Sequence, residues 1–378
     1  MILILNQFPE KDPAPTSRYL KEWGEDLRQQ GESIQWISGT PSYRLRSPLF
    51  IFRALQDLQT VFLILWEGIW SPTPHLIIAS SSPPGILLVA TVLKLWHRVP
   101  LIHWAMDLHP DLSEALGENK FLRGIFQFFV KRCYPLCDVL LTLDADMQKK
   151  LRTTYQVDSI ITRLWPLNLA AIPDSRSVQS PPRWIYSGNL GKAHEWKTVL
   201  ETQSRLEQQG SPFQLRLQGN ASQRLPSNLS LPQQIELSDY VAEENLVSTL
   251  LSCHLLIATQ NPLTTGLLWP CKLALLSVLP RPLLWIGSKN SSTATEFKQR
   301  PHTGIFEPGE SEKIAQWIKQ YETIPNQNDF KKWIEKQPTQ SAFLEQVRKV
   351  TLPLRPKAAS RKDETDESAG SLLKEDEI

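Results

Sequence analysis

Short apolar runs recur along this chain at intervals that leave room for one helix between them, and that rhythm limits the fold more than any other feature. In the first half the runs are Ile2–Leu5, Ser33–Ile37, Leu76–Ala79, Leu101–Trp104 and Val139–Leu143, with a last short run at Ile160–Leu164. In the second they are Trp184–Tyr186, Phe213–Gln218, Ile235–Leu237, Leu255–Ala258, Leu283–Ile286 and the stretch from Gly304 to Phe306. Runs as short and as apolar as Ile2–Leu5, Leu76–Ala79 and Leu283–Ile286 suit strands covered on both faces, as in a parallel sheet. The segments between them have helical spacing: Tyr19, Leu20, Trp23 and Leu27 after a cap at Thr16 or Ser17, Leu49–Trp70, Gly85–Trp96, Trp196–Gln209 and Glu243–Ser252. Strand, helix, strand, repeated in both halves, predicts an α/β chain of βαβ units with parallel sheets.

At 378 residues the chain exceeds what one hydrophobic core usually holds. Between Pro166 and Pro182 the composition shifts to Pro, Ser, Asn and Asp without periodicity, the mark of a linker. The expected division is a first domain over 1–165, a linker over 166–182 and a second domain over 183–322. A helical extension follows over 323–355, expected to pack back on the first domain, and then a disordered charged tail over 356–378.

Lys and Arg number 41 against 39 for Asp and Glu, a balance that gives no reason to expect nucleic acid as a partner. The cysteines, Cys133, Cys137, Cys253 and Cys271, form no CxxC pair and read as reduced thiols of a cytoplasmic protein, not as a metal site. The opening M-I-L-I-L-N has no basic leader and is too short for a signal sequence, and no run is long enough to span a bilayer. The segment Lys120–Cys133, K-F-L-R-G-I-F-Q-F-F-V-K-R-C, is apolar on more than one side and basic at its ends. It suits either a core helix or a helix lying peripherally against the anionic inner face of a membrane.

Chemistry is expected where strands end. After Tyr186 the sequence S-G-N-L-G makes a small-residue turn, and a helix starts near Trp196. Glycines at a strand end let a ligand approach the backbone, and the free N–H groups there and at the helix start favour phosphate. Gly219 ends the next strand. Asp107 and His109 lie in the M-D-L-H-P-D loop after Trp104, where open α/β sheets place ligands. Arg18 lies near the first strand's exit, and Lys272 follows Pro270 at an expected helix start.

Five motifs in order, N-Q-F-P-E, S-S-S-P-P at Ser80–Pro84, D-L-H-P-D at Asp107–Asp111, Y-S-G-N-L-G-K-A-H at Tyr186–His194 and W-P-C-K-L at Trp269–Leu273, resemble landmarks of bacterial family 4 glycosyltransferases, especially those of cell-surface polysaccharide synthesis. The resemblance covers about residues 1–322 and implies the GT-B architecture, two Rossmann-like domains facing a deep cleft. It implies a nucleotide-diphosphate sugar bound mainly by the second domain, a lipid-linked or glycan acceptor on the first, and transfer with retention. No metal and no tightly bound cofactor is implied.

On that resemblance Gly188, Asn189 and Gly191 would form the diphosphate turn, with Lys192 beside phosphate and Gly219 lining the nucleotide cleft. Lys272 would offset charge on the departing diphosphate, and Pro270 and Glu307 fall among the donor-side residues. His109 and Asp107 would meet the transferred sugar or the acceptor, and Arg18 an acceptor phosphate. Two departures stand out. The first loop is K-D-P-A-P-T-S where many relatives have a glycine-rich one, and Thr264 and Lys272 occupy the positions of a glutamate pair that many relatives carry, with Cys271 where a polysaccharide-synthesis branch has serine. Glu296 and Glu307 do not replace that pair. The alternatives are a glycosyltransferase-like protein that has lost transfer and serves in binding or assembly, and a sugar-nucleotide enzyme of the same layout such as an epimerase.

Overall fold

The computed structural model describes residues 1–42, 50–117, 128–166, 178, 180–226 and 228–354. Two six-stranded sheets, parallel throughout, account for the alternation. The first contains β1 (Ile2–Leu5), β2 (Ile34–Ile37), β3 (Leu76–Ala79), β4 (Leu101–Ala105), β5 (Val139–Thr142) and β6 (Ile160–Ile161), in the order β2-β1-β3-β4-β5-β6. The second contains β7 (Arg183–Gly188), β8 (Gln214–Gly219), β9 (Ile235–Ser238), β10 (Leu255–Thr259), β11 (Leu283–Ile286) and β12 (Thr303–Phe306), in the order β12-β11-β10-β7-β8-β9. Each sheet has a switch point beside its first strand, between β1 and β3 and between β7 and β10. Crossovers leave in opposite directions there, and a crevice opens at the carboxyl ends.

Complete burial explains the uniform apolar runs: Ile2–Leu5, Leu76–Ala79 and Leu283–Ile286 all lie inside. Three helices of the first half carry labels here: α1 (Pro15–Gln29), α2 (Phe50–Trp70) and α3 (Ile86–His97). Helix α1 starts ahead of the expected cap at Thr16 or Ser17: Pro15 takes the first position, and Ala14, whose N–H donates to Asp12 Oδ1 at 2.9 Å, precedes it. Ser17 is therefore not a cap. It is buried within the helix and accepts from Asn6 Nδ2 at 2.8 Å. Asp144 does cap its helix, accepting from the Met147 N–H at 2.8 Å.

The last helix, Gln340–Thr351, packs on the first sheet although it follows the second in sequence. Its Phe343 ring lies 5.0 Å from Trp104 and 4.4 Å from Trp165, centroid to centroid, and Arg348 Nε donates to the buried Asp26 at 3.0 Å. The break at Pro338 separates it from the short helix Lys331–Ile334. Most of the linker, residues 120–127 of the basic aromatic segment and the charged tail lie outside the described residues. Of that segment, residues 128–133 are helical, with Val130 and Cys133 buried and Phe128 and Phe129 exposed.

Loops from the carboxyl ends of both sheets meet. The Leu108 N–H donates to Leu267 O at 2.7 Å, and Asp107 forms an antiparallel bridge with Leu268. Ser292, after β11, donates through its N–H and hydroxyl to Asp146, after β5, at 2.6 and 2.9 Å. Arg163 pairs with Glu296, and Arg18 pairs with Glu243.

Candidate active site at the meeting of the two sheets

Strands β7 and β8 end side by side in glycines, and this pair forms the floor of the site. Gly188 and Gly219 are partners in the parallel register, and each has φ +124°. A Cβ on Gly219 would lie 2.5 Å from Gly188 O, so no larger residue fits without moving a strand. The turn beyond is held from three sides. Tyr186 Oη donates to Asn189 O at 2.7 Å, the Leu190 N–H donates to Asn220 Oδ1 at 2.7 Å, and Tyr240 bonds the Asn189 side chain. Gly191 needs no left-handed φ, and a Cβ there would meet open space.

Lys272 enters from the helix Lys272–Leu276, at the β7–β10 switch point. Pro270 stands two residues before that helix, outside its first turn, and its carbonyl accepts from the Leu273 N–H at 2.8 Å. The Lys272 ammonium lies 3.6 Å from the centroid of the Tyr186 ring and 3.2 Å from where a Gly188 Cβ would stand. Its nitrogen is buried, and no acceptor among the described residues reaches it. Burial lowers its pKa to about 7. A cation so placed, against a ring face and without an acceptor among the described residues, is suited to an anion that enters over the glycine pair.

His194 belongs to the same wall. Its Nδ1 lies 3.0 Å from Thr259 O, and since a carbonyl only accepts, Nδ1 carries the proton and Nε2 is left as an acceptor. Burial first, and Lys272 second, lower its pKa to about 3, so the ring stays neutral. Thr264 is buried and donates to Asn261 O at 2.8 Å, shaping the loop before Lys272.

The first sheet supplies the opposite wall. Asn6 and Gln7, at the end of β1, meet the serines after β3: Ser80 Oγ donates to Asn6 Oδ1 at 2.8 Å, and Ser82 Oγ to Gln7 Oε1 at 2.5 Å. Two motifs more than 70 residues apart thus form one polar seam at the β1–β3 switch point. The Asp107 N–H donates to Ser81 Oγ at 3.0 Å, and His109 O accepts from Tyr134 Oη at 3.1 Å. Asp107, His109, Ser81, His103 and Tyr134 line one small cavity beside the start of α3.

The candidate residues therefore divide. Gly188, Gly219 and Lys272 are in direct apposition, with Asn189 on the adjoining turn, and the Asp107–Leu268 bridge brings the Asp107 loop to the segment that carries Lys272. Arg18 is engaged by Glu243 across the interface. Lys192 is exposed and meets the site only through its carbonyl, which accepts from Asn261 Nδ2 at 3.2 Å. Glu307 lies beyond β12, three strands from β7, and its carboxylate accepts the Lys289 N–H at 2.8 Å. A cavity of about 930 Å³ opens near Asp144, Arg163, Glu296 and Lys336, and none of the candidate residues lines it. Tyr186 and His194 bound the Y-S-G-N-L-G-K-A-H motif, but the sequence assigns neither a role of its own. Tyr186 reads as the last core residue of a strand, and only the neighbouring K-A-H gave His194 a signal.

Solved structures match the two-sheet arrangement over 93% of the chain. Sucrose-phosphate synthase from Thermosynechococcus elongatus superposes with a TM-score of 0.65 at 11% identity, over 93% of this chain and 98% of that one. Anabaena HepE, in a crystal structure with UDP and glucose, superposes with a TM-score of 0.62 at 12% identity, over 93% and 99%. The chain has the GT-B fold. A glycosyltransferase from Rickettsia africae superposes at 0.59 and 11% identity, over 93% and 98%. No protein-family model and no curated protein sequence matches the chain. In the GT-B frame, the glycine pair ends β7 and β8 next to the switch point of the second sheet, Lys272 stands against Gly188, and Asp107 and His109 lie on the facing loop of the first.

Proposed function

We propose that this chain is a retaining glycosyltransferase of the hexosyltransferase type, resembling family 4, that moves a sugar from a nucleotide-diphosphate donor to a lipid-linked or glycan acceptor in cell-surface polysaccharide synthesis on the cytoplasmic side. The observation that carries the reading is the Lys272 ammonium, buried over the Gly188–Gly219 pair without an acceptor among the described residues. A diphosphate laid over the two glycines accepts from that ammonium, and charge growing on the leaving phosphate strengthens the contact as the glycosidic bond breaks. The solved structures support the donor class: HepE has been crystallised with UDP and with UDP-glucose.

In this reading Asp107 and His109 orient the acceptor or the transferred sugar from the first sheet, and the Asn189 turn and Gly219 hold the donor. Positioning reactants across the cleft is a large part of the rate gain. Calorimetry with a panel of nucleoside diphosphates and their sugars, followed by mass analysis of acceptors, tests this. Saturable donor binding with a mass gain on one acceptor is expected. Binding with neither transfer nor hydrolysis over a broad acceptor panel would favour a binding or assembly role, and an unchanged donor mass with a new sugar configuration would favour epimerisation.

A further inference from the structure

The outer face of α2 is apolar on the side turned away from the protein. Thr60, Ile64 and Gly68 form its buried row, while Phe62, Trp66 and Trp70, offset by two residues and so about 200° round the helix, form an exposed row. Phe52, Leu55 and Leu58 extend the exposed stripe, and each of the six side chains is more than half exposed. The aromatic rings touch in series, Phe62 to Trp66 at 6.5 Å and Trp66 to Trp70 at 5.9 Å. An amphipathic helix of a single soluble domain would carry polar groups there. Among the described exposed positions of α2, only Gln59 and Glu67 are polar.

The stripe continues on to neighbouring elements. The crossovers β2 to β3, β3 to β4 and β4 to β5 all run the same way across the sheet, so right-handed connections put α2, α3 and residues 128–136 in one layer. Helices α2 and α3 touch where Gly68 meets Leu93, and His97 Nε2 reaches Gly68 O at 2.9 Å. Lys94 of α3 in turn donates to Leu136 O at 2.6 Å. On this layer Val92, Leu95 and Trp96 are exposed, as are Phe128, Phe129 and Leu136. Twelve of the seventeen exposed large hydrophobic side chains found among the described residues therefore share one face, too many for scattered surface residues.

We infer that the α2–α3 face is a docking surface for an anionic lipid bilayer. Tryptophan and phenylalanine in a stripe on a helix parallel to the surface suit the boundary between headgroups and acyl chains. Charge selects the occupant. Arg98, Lys131 and Arg132 are exposed on this layer, against Glu67 and Asp138 among its described exposed acids, and Asp138 is already paired with Lys94. Arg132 also lies 3.6 Å over the Phe128 ring, so its cation sits at the edge of the apolar face. A second copy packed on the same face would bring these cations against themselves, whereas anionic headgroups neutralise them. No described helix is long and apolar enough to cross a membrane, and surface docking needs none. The face adjoins the cavity of Asp107 and His109, which the start of α3, Val130 and Tyr134 also line. Delivery of a lipid-linked acceptor from the bilayer into that cavity rests on the transfer reading above; the docking itself does not.

Flotation of the full chain on a density gradient tests the docking without donor or acceptor. Vesicles of phosphatidylcholine alone are compared with vesicles containing roughly a third phosphatidylglycerol. The wild type is expected to float with the anionic vesicles and less with the neutral ones. Trp66→Ser combined with Trp96→Ser is expected to cut flotation roughly tenfold, with folding checked by thermal melting. Arg98→Glu combined with Lys131→Glu, which leaves the apolar face intact, is expected to lose the preference for anionic vesicles. No flotation of the wild type, or equal flotation of wild type and tryptophan variant, overturns the inference. So does a dimer in solution that the tryptophan variant dissolves while neither protein floats. Loss of transfer with flotation intact would count against the catalytic reading and leave the docking in place.

Discussion

The Lys272 ammonium lies 3.6 Å from the centre of the Tyr186 ring, which joins the first turn of one helix to the central strand of the second sheet. The contact shelters a cation at a point where its own charge is disfavoured, since burial lowers the pKa to about 7 from an ordinary 10.5. An anion arriving over Gly188 and Gly219 would restore the charge.

That restoration is measurable as proton uptake. With a pKa near 7 the lysine is mostly neutral at pH 8, and a bound diphosphate returns it toward the ordinary lysine range. Binding of a nucleoside diphosphate at pH 8 is expected to take up ~1 proton, seen by calorimetry in buffers of different ionisation enthalpy. Lys272→Met is expected to remove the uptake and to lower turnover by about 10²- to 10³-fold. Unchanged turnover in that variant would reject the role given to Lys272.

The same shift sets a sign for stability against pH. The unfolded chain binds more protons than the folded one between pH 7 and 10.5, so the Lys272 contribution to stability rises with pH across that window. Below pH 7 both states are charged and the penalty is fully present. Relative to wild type, Lys272→Met is expected to melt higher at pH 6.5, and the gap is expected to narrow by pH 9. A constant difference over this range would contradict the burial of the charge.

Gly219→Ala tests the glycine pair. Its φ of +124° and the 2.5 Å approach to Gly188 O leave no room for a methyl group. A loss of about 1–3 kcal/mol in stability is expected from the strain. Donor affinity is expected to fall with it. Gly191→Ala, which meets open space, is expected to leave stability within about 0.5 kcal/mol of wild type. Denaturant melts of the two variants provide the comparison.

Phe343→Ala tests how far the last helix holds the first domain. The ring stacks against Trp104 and lies against Trp165 and Trp23 inside the first core. Truncation is expected to cost about 3–5 kcal/mol. Arg348→Ala is expected to destabilise as well, because the nearly inaccessible Asp26 would lose its cation. A melt unaffected by Phe343→Ala would show the helix to be a dispensable appendage.

Arg18 pairs with Glu243 across the two sheets, with both side chains partly exposed, so the pair itself is expected to contribute no more than about 1 kcal/mol. If Arg18 also receives an acceptor phosphate, Arg18→Ala raises the acceptor KM while Glu243→Ala, which frees the guanidinium, does not. Equal effects of the two substitutions would assign Arg18 to domain contact alone.

Much of this was legible along the chain. Short uniform runs such as Leu76–Ala79 have one physical solution, a strand covered on both faces, and small residues after Tyr186 mark a strand end open to a ligand. The expected cap at Thr16 or Ser17 failed because hydroxyl preference is local: the helix begins at Pro15, and the Ser17 side chain is drawn inward by Asn6, eleven residues away. Glu307 shows a related limit: an acid after a strand lies on the ligand side of the sheet, but strand order sets where along the sheet it stands, and β12 is three strands from β7.

Alone, the sequence determined the two parallel sheets, the loops at their carboxyl ends and the glycines that could accept a phosphate. Periodicity and residue type report whether a segment is buried and how its backbone can turn, and both are local properties. Only the tertiary structure decided that Gly188 and Gly219 would be register partners, that Lys272 would stand over Tyr186, and that the Asp107 loop would bridge to Leu268. It also decided that an apolar helix would turn Phe62, Trp66 and Trp70 outward. Those relationships depend on which strands are neighbours and on where the chain returns, and no spacing within a single segment encodes either.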